Sequence, residues 1–211
     1  ALIDSETRFR RLTELSSDWY WEQDEHFRFT MVSGGMPRSG ASVPPFIGKT
    51  RWELPVDMDE TDWAGHKAVL AAHGMFADFE YKIREADNRN RWYCISGEPL
   101  FDAAGVFKGY RGVGHDITQR KRAAALRIGQ GMVLEMIATG APVDEVLVSL
   151  IRVIEAQSDG LIGSILLLGD DNQHVAKSIG PELPHAYSKA LEGIAIGPQA
   201  GSCGTAMYRR A

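Results

Sequence analysis

The sequence predicts an α+β protein: a five-stranded antiparallel sheet with flanking helices, a linker helix, and a second, smaller part that mixes helices and strands. Three observations carry this. Apolar residues alternate with polar ones in short runs separated by turn residues through the first half, the pattern of half-buried strands. Along Gly112-Val113-Gly114-His115-Asp116-Ile117-Thr118-Gln119-Arg120-Lys121-Arg122 the apolar period changes from 2 to 3.6, so a strand runs into a helix without a loop. Beyond that stretch the order reads helix, helix, strand, strand, helix.

Composition narrows the function classes. A chain of 211 residues with 44% hydrophobic and 24% charged residues is an ordinary globular composition, enough for one or two domains. A net charge of −5 gives no reason to expect a nucleic-acid or anionic-membrane surface, and Arg120-Lys121-Arg122 is too short a run to reverse that. Cys94 and Cys203 sit in different halves without C-x-x-C spacing, so neither a disulfide framework nor a zinc site is indicated, and a reducing cytoplasm is the expected compartment. No segment approaches the ~20 apolar residues of a membrane span, so no direct membrane contact is expected from this stretch. The chain does not begin with Met and is expected to be a piece of a longer protein.

The elements follow in order. Asp4-Ser5-Glu6 opens an amphipathic helix with Phe9, Leu12 and Leu15 on one stripe. Asp18-Trp19-Tyr20-Trp21-Glu22-Gln23 and Phe27-Arg28-Phe29-Thr30-Met31-Val32-Ser33 form a hairpin around Asp24-Glu25-His26, with Phe27, Phe29 and Met31 expected on one side. The Gly-, Pro- and Ser-rich residues 34–45 read as loop, and 46–54 as a short helix. Residues 59–73 read as a helix carrying Trp63, His66, Leu70 and His73 on one face. Strands at 77–85, 91–101 and 106–118, turning at 87–90 and 102–105, complete the sheet as a meander; Gly97, Gly109, Gly112 and Gly114 mark bulges or close approaches of backbone.

In the second half, residues 123–139 continue as helix with Ile128, Met132, Val133, Met136 and Ile137 on the apolar side, and Gly129 and Gly131 permit close helix contact or flexing. A helix from Pro142 carries Val143, Val146, Leu147, Leu150, Ile151 and Ile154 as a complete buried stripe. Strands at 162–168 and 174–179 and a helix at 184–192 follow.

At the strand-to-helix stretch, Asp116 suits an N-cap, with Gln119 three residues on to return a bond as in a capping box; Thr118 is the alternative cap. The run His115-Asp116-Ile117-Thr118-Gln119-Arg120-Lys121 resembles the D-I-T signature that closes PAS sensor domains of bacterial signalling proteins, and residues from about Phe9 to Thr118 follow the PAS order of elements. The resemblance implies that Asp116, Thr118 and Gln119 couple the last strand to an output helix. It also implies a cavity behind the long helix, with Trp52, Trp63, His66, Leu70, His73, Tyr81, Tyr93 and Gly112 as lining candidates and a small organic ligand as occupant, unless the core is packed shut. In haem-binding PAS domains a histidine of that helix holds the iron, which would single out His66 or His73. A His on a mixed face is more often simply hydrogen-bonded, so no cofactor and no metal is the expectation. Light-sensing flavin domains carry an Asn-Cys pair in the short helix; here Lys49-Thr50-Arg51-Trp52 has no Cys, so flavin is not expected.

The second half is similar to the opening of a GAF domain, with Gly201-Ser202-Cys203-Gly204 resembling a short segment of bacterial GAF domains. The resemblance implies a partial GAF-like α/β sandwich. Cys203 has no His or Asp that can be placed beside it, so turn geometry and packing account for it better than nucleophilic chemistry does. The organisation expected is an N-terminal helix (1–17), a PAS domain (18–118), a linker helix (119–140) and a truncated GAF domain (141–211). No catalytic constellation is found, so this stretch is expected not to be an enzyme. It is expected to act as a homodimer through its N-terminal and linker helices. In a longer polypeptide it would drive a C-terminal effector, a cyclic-di-GMP enzyme or sensor histidine kinase by domain-order analogy. The alternative is a ligand-free dimerisation scaffold.

Overall fold

Alternation in Trp19-Tyr20-Trp21-Glu22-Gln23 produces strand β1 (Trp19–Gln23), whose residues 19, 21 and 23 all face inward and are buried. The computed structural model describes residues 19–34, 46–58, 60–84 and 89–210. The expected N-terminal helix, the loop at 35–45 and the turn residues 85–88 lie outside them. The chain divides into two compact units, Ala1–Lys121 and Arg122–Ala211.

In the first unit β1 is flanked by β2 (Phe29–Gly34) and by β6 (Phe107–Asp116), a partner from the far end of the unit. Next come β5 (Asn90–Phe101), β4 (Phe76–Arg84) and β3 (Val56–Asp57), all antiparallel, giving the order β2-β1-β6-β5-β4-β3. The sheet therefore has six strands, where five were expected. The additional one forms because Leu54-Pro55 leaves a 3-10 turn (Arg51–Glu53) in extended conformation, which sets Val56 and Asp57 opposite Ile83 and Lys82. An ion pair between Asp57 and Lys82 and a bond from the Arg84 N–H to the Pro55 carbonyl (3.1 Å) hold this short edge.

One face assignment fails at the hairpin. Gln23 pairs with Phe29 but Glu22 with Met31, so Thr30 is an extra residue in β2. A bulge reverses the alternation beyond it: Phe29 is buried, Met31 is turned out, and Val32 packs on the core instead.

Trp19, Trp21, Tyr81, Tyr93, Tyr110 and Ile95 form the fully buried centre. Burial of side chains this large contributes about 1.5–3 kcal/mol each, but the rings fit only because the sheet leaves room. A Cβ at Gly112 would lie 2.0 Å from the Ser96 carbonyl oxygen and 2.4 Å from Cζ2 of Trp21; one at Gly97 would lie 2.7 Å from Trp21 and Phe76 ring atoms. These glycines mark close approaches, as the strand pattern suggested. Helix α1 (Glu60–Ala71) covers the rings, and its end is tied down by Tyr110, whose hydroxyl donates to the Gly74 carbonyl at 2.9 Å.

The second unit contains most of α2 (Thr118–Ala138), then α3 (Val143–Glu155), the hairpin β7 (Ile165–Leu168) and β8 (Val175–Ile179), α4 (His185–Leu191) and α5 (Gly201–Arg209). Gly129 lets α2 approach α3: a Cβ there would meet Cγ2 of Val153 at 2.5 Å. The stripe expected on α3 is only partly covered. Ile151 is buried and Val146, Leu147 and Leu150 are half-buried, but Val143 and Ile154 are exposed, because a two-stranded sheet is too narrow to cover a helix of 13 residues end to end. The Gly-Ser-Cys-Gly segment opens α5 instead of forming a turn.

Candidate functional site: a strand-to-helix clamp above an aromatic interior

The last residue of β6 is Asp116 and the first of α2 is Thr118, so a single residue, Ile117, separates strand from helix. Each of the three is bonded. Asp116 Oδ1 accepts from the Thr118 N–H at 2.8 Å, which satisfies one of the orphan donors of the first helical turn. Asp116 Oδ2 accepts from Arg91 Nη1 at 3.1 Å. The buried Ile117 donates its N–H to the Trp92 carbonyl at 2.9 Å. Thr118 is also buried, and its Oγ1 accepts from the Trp92 N–H at 3.0 Å. Trp92 thus donates to the junction with one backbone group and accepts from it with the other.

The first turn of α2 is bonded to β4 as well. Arg120 donates to Glu80 Oε1 at 2.6 Å, Lys121 pairs with the other oxygen of Glu80, and the Lys121 ammonium stands 4.9 Å from the Trp92 ring centroid. These partly exposed pairs contribute at most about 1 kcal/mol each, so the buried Thr118–Trp92 bond is the stronger restraint. The capping-box expectation is corrected here. Gln119 is exposed and takes no part, because Asp116 sits one residue too early to be the N-cap and reaches Thr118 instead.

Below the clamp lies the interior expected to receive a ligand. Trp63, His66 and Leu70 share the inward face of α1, as their spacing requires. His66 stacks on Phe79 (centroids 3.9 Å, planes 11° apart) and meets the edge of Phe76 at 4.8 Å. Burial, and secondarily the charge of Arg51, push its pKa down to about 3, so the imidazole is neutral. Trp52 and Trp63 meet edge to face at 6.3 Å. Tyr93 packs against Trp19 at 5.0 Å and Tyr81 at 5.9 Å, and Gly112 lies against Trp21.

His73 does not join this group. The helix ends at Ala71, and His73 adopts a left-handed backbone (φ 50°) that turns its exposed ring onto Phe107 at 3.8 Å. The two histidines therefore do not share a face. Among the described residues no cluster of three or more His, Cys, Asp or Glu side chains could hold a metal ion, and no helix is long and apolar enough to cross a membrane. Cys94 is buried with its thiol on Asp78 Oδ1 at 3.7 Å; burial first, and Asp78 next, push its pKa up, away from the reactive thiolate. Cys203 is exposed on α5 with Ser202 Oγ at 3.9 Å.

Sequence reasoning missed two interior residues. Arg51 is 2% exposed and Gln23 3% exposed. Position 23 was findable, since it continues the parity of Trp19 and Trp21. Arg51 was not, because a basic residue in a short polar turn reads as solvent-exposed.

No known family profile matches the chain. The methyl sulfide methyltransferase-associated sensor of Methanosarcina acetivorans is 41% identical over 212 residues, covering 98% of this chain and 21% of that protein. The uncharacterized protein y4lL of Sinorhizobium fredii is 25% identical over 134 residues, 61% of this chain and 16% of that protein. The chain thus spans about a fifth of the length of these curated relatives. Among solved structures, an RNA-binding light-oxygen-voltage receptor shows a TM-score of 0.46 at 16% identity, over 55% of this chain and 34% of that chain. A sensory box histidine kinase/response regulator from Burkholderia thailandensis shows 0.44 at 23% identity, over 61% and 98%.

Proposed function

We propose that the chain is a sensory signal-transduction module in which the interior of the first unit receives a small-molecule, redox or cofactor cue and the strand-to-helix clamp passes it on. The observation that carries this reading is the bonding at the junction: a change in the tilt of β5 at Arg91 and Trp92 moves Asp116, Ile117 and Thr118, and with them the start of α2. A relative named as a sensor, 41% identical along nearly the whole chain, supports it. The cue acts as a population shift between two arrangements of sheet and helix, because a ligand biases an equilibrium only by its difference in affinity for the two states. The second unit is read as the opening of a GAF-like domain, and the effector as a cyclic-di-GMP enzyme or histidine kinase in the same polypeptide.

The test is uncoupling. In the full polypeptide that carries this chain, Asp116→Ala or Thr118→Val abolishes the effector's response while binding of the cue stays within about twofold of wild type; a parallel loss of binding and response sinks the proposal.

One observation favours a second reading, a ligand-free dimerisation scaffold. Ile128, Met132, Leu134 and Ile137 of α2 are all more than half exposed, and a second copy of the chain would cover them. Native mass spectrometry separates the two readings, since a retained small molecule favours sensing and an apo dimer favours the scaffold.

A further inference from the structure

The first unit buries a cation. The Arg51 guanidinium lies among aromatic rings, its Cζ 4.9 Å from the centroids of Trp21 and Phe29 and 5.3 Å from that of Tyr81. Nη1 donates to the Tyr81 hydroxyl at 2.9 Å, while Nη2 is buried without a hydrogen-bond partner among the described residues. Among the described residues no carboxylate pairs with it; the charged and polar groups that bear on it are Tyr81 and the neutral His66. Burial pulls its pKa below the ordinary arginine value, yet arginine starts so far above neutrality that it keeps its proton. Ring faces offset part of the lost hydration, but a buried charge with no counter-charge is strongly unfavourable unless something pairs with it.

Two further orphans complete the pattern. Gln23 Nε2, on the inward face of β1, and His66 Nε2, on the inward face of α1, are both buried without a partner among the described residues. The guanidinium and amide nitrogens only donate, and the neutral imidazole nitrogen donates in one of its tautomers. Three buried donors, one on each of three elements, thus lack an acceptor among the described residues in an interior otherwise lined by rings, and what balances the one positive charge there is a monovalent acceptor. A phosphate dianion would leave a net negative charge buried, whereas a carboxylate balances Arg51 one to one and matches the planar fork. The rings suit a short or flat apolar body behind it.

We propose that the interior of the first unit is a binding site for a compact organic monocarboxylate, with Arg51 as its charge partner and Gln23 and His66 as additional donors. This rests on the sensory reading above and names the class of its cue. Tyr81 competes for the same guanidinium and so sets the affinity.

The experiment titrates the full chain with sodium propionate and sodium benzoate against sodium chloride at equal ionic strength, following tryptophan fluorescence and thermal unfolding, and identifies any small molecule released on denaturation. Either carboxylate stabilises the wild type where chloride does not. Arg51→Gln weakens binding at least tenfold. Tyr81→Phe, which keeps Arg51 and frees Nη1, tightens it several-fold, and this variant keeps the test decisive if Arg51→Gln fails to fold. A response no larger than that to chloride, or an unchanged affinity in both variants, overturns the assignment. Release of a neutral compound overturns the carboxylate class but leaves the sensory reading standing, since a retained compound fits sensing and the junction variants test that reading separately.

Discussion

A methyl group at position 112 has nowhere to go: the Ser96 carbonyl stands on one side and the Trp21 indole on the other. Overpacking of this kind costs about 1–3 kcal/mol, so Gly112→Ala is expected to lower the stability of the first unit by that amount in urea denaturation followed by tryptophan fluorescence. His66 gives a pH dependence whose sign is determined by burial. Its pKa falls from 6.5 in the unfolded chain to about 3 in the folded one, so as pH drops the unfolded chain takes up the proton first. The stability it contributes is complete above about pH 6.5 and is lost toward pH 3, at up to about 1.4 kcal/mol per unit. Comparing the pH dependence of urea midpoints for wild type and His66→Phe isolates this slope; equal slopes would show that His66 does not titrate as its surroundings require. Histidine 66 was legible from spacing alone. Its neutrality was not, because it depends on Phe76 and Phe79 of β4 and on Arg51 arriving from two other segments.

Between strand and helix, the decisive bond is Thr118 Oγ1 to the Trp92 N–H. Thr118→Val keeps the shape and removes the acceptor, leaving a donor unsatisfied at a cost of about 1–3 kcal/mol. Amide hydrogen exchange is expected to accelerate at Trp92 and through the first turn of α2, and unchanged protection there would mean the junction is held by something else. Gly129 provides a second test. Gly→Ala inside a helix ordinarily gains roughly 0.5–1 kcal/mol, but the Val153 methyl 2.5 Å away makes this substitution an overpacking; Gly129→Ala is expected to lower the thermal stability of the second unit. A gain would show that α2 and α3 stand further apart. The period change at 112–122 announced the strand-to-helix continuity, and Asp116 and Thr118, singled out from the sequence, are both hydrogen-bonded at that junction. Gln119 was not, since capping motifs are read by counting from an assumed first residue, and a shift of one moves every partner. The bulge at Thr30 defeated the hairpin faces for the same reason: a period-2 count cannot register one inserted residue.

For the chain as a whole, the scaffold reading proposed above has a second copy cover the exposed apolar side chains of α2. Leu134→Glu combined with Ile137→Glu is expected to shift the molecule to monomer in native mass spectrometry, with the first unit's ligand response intact. An unaltered mass distribution argues against α2 as the contact.

Local rules were enough to read the α+β class, nearly every strand and helix, the inward parity of β1, and the junction at which β6 becomes α2, because each depends on residues within a few positions of one another. Only the folded arrangement could decide the sixth strand, the fate of His73, the partial covering of α3 and, above all, the burial of Arg51. In each case a segment distant in sequence supplies or withholds the neighbour, and the environment of a charge is made by the chain folded around it.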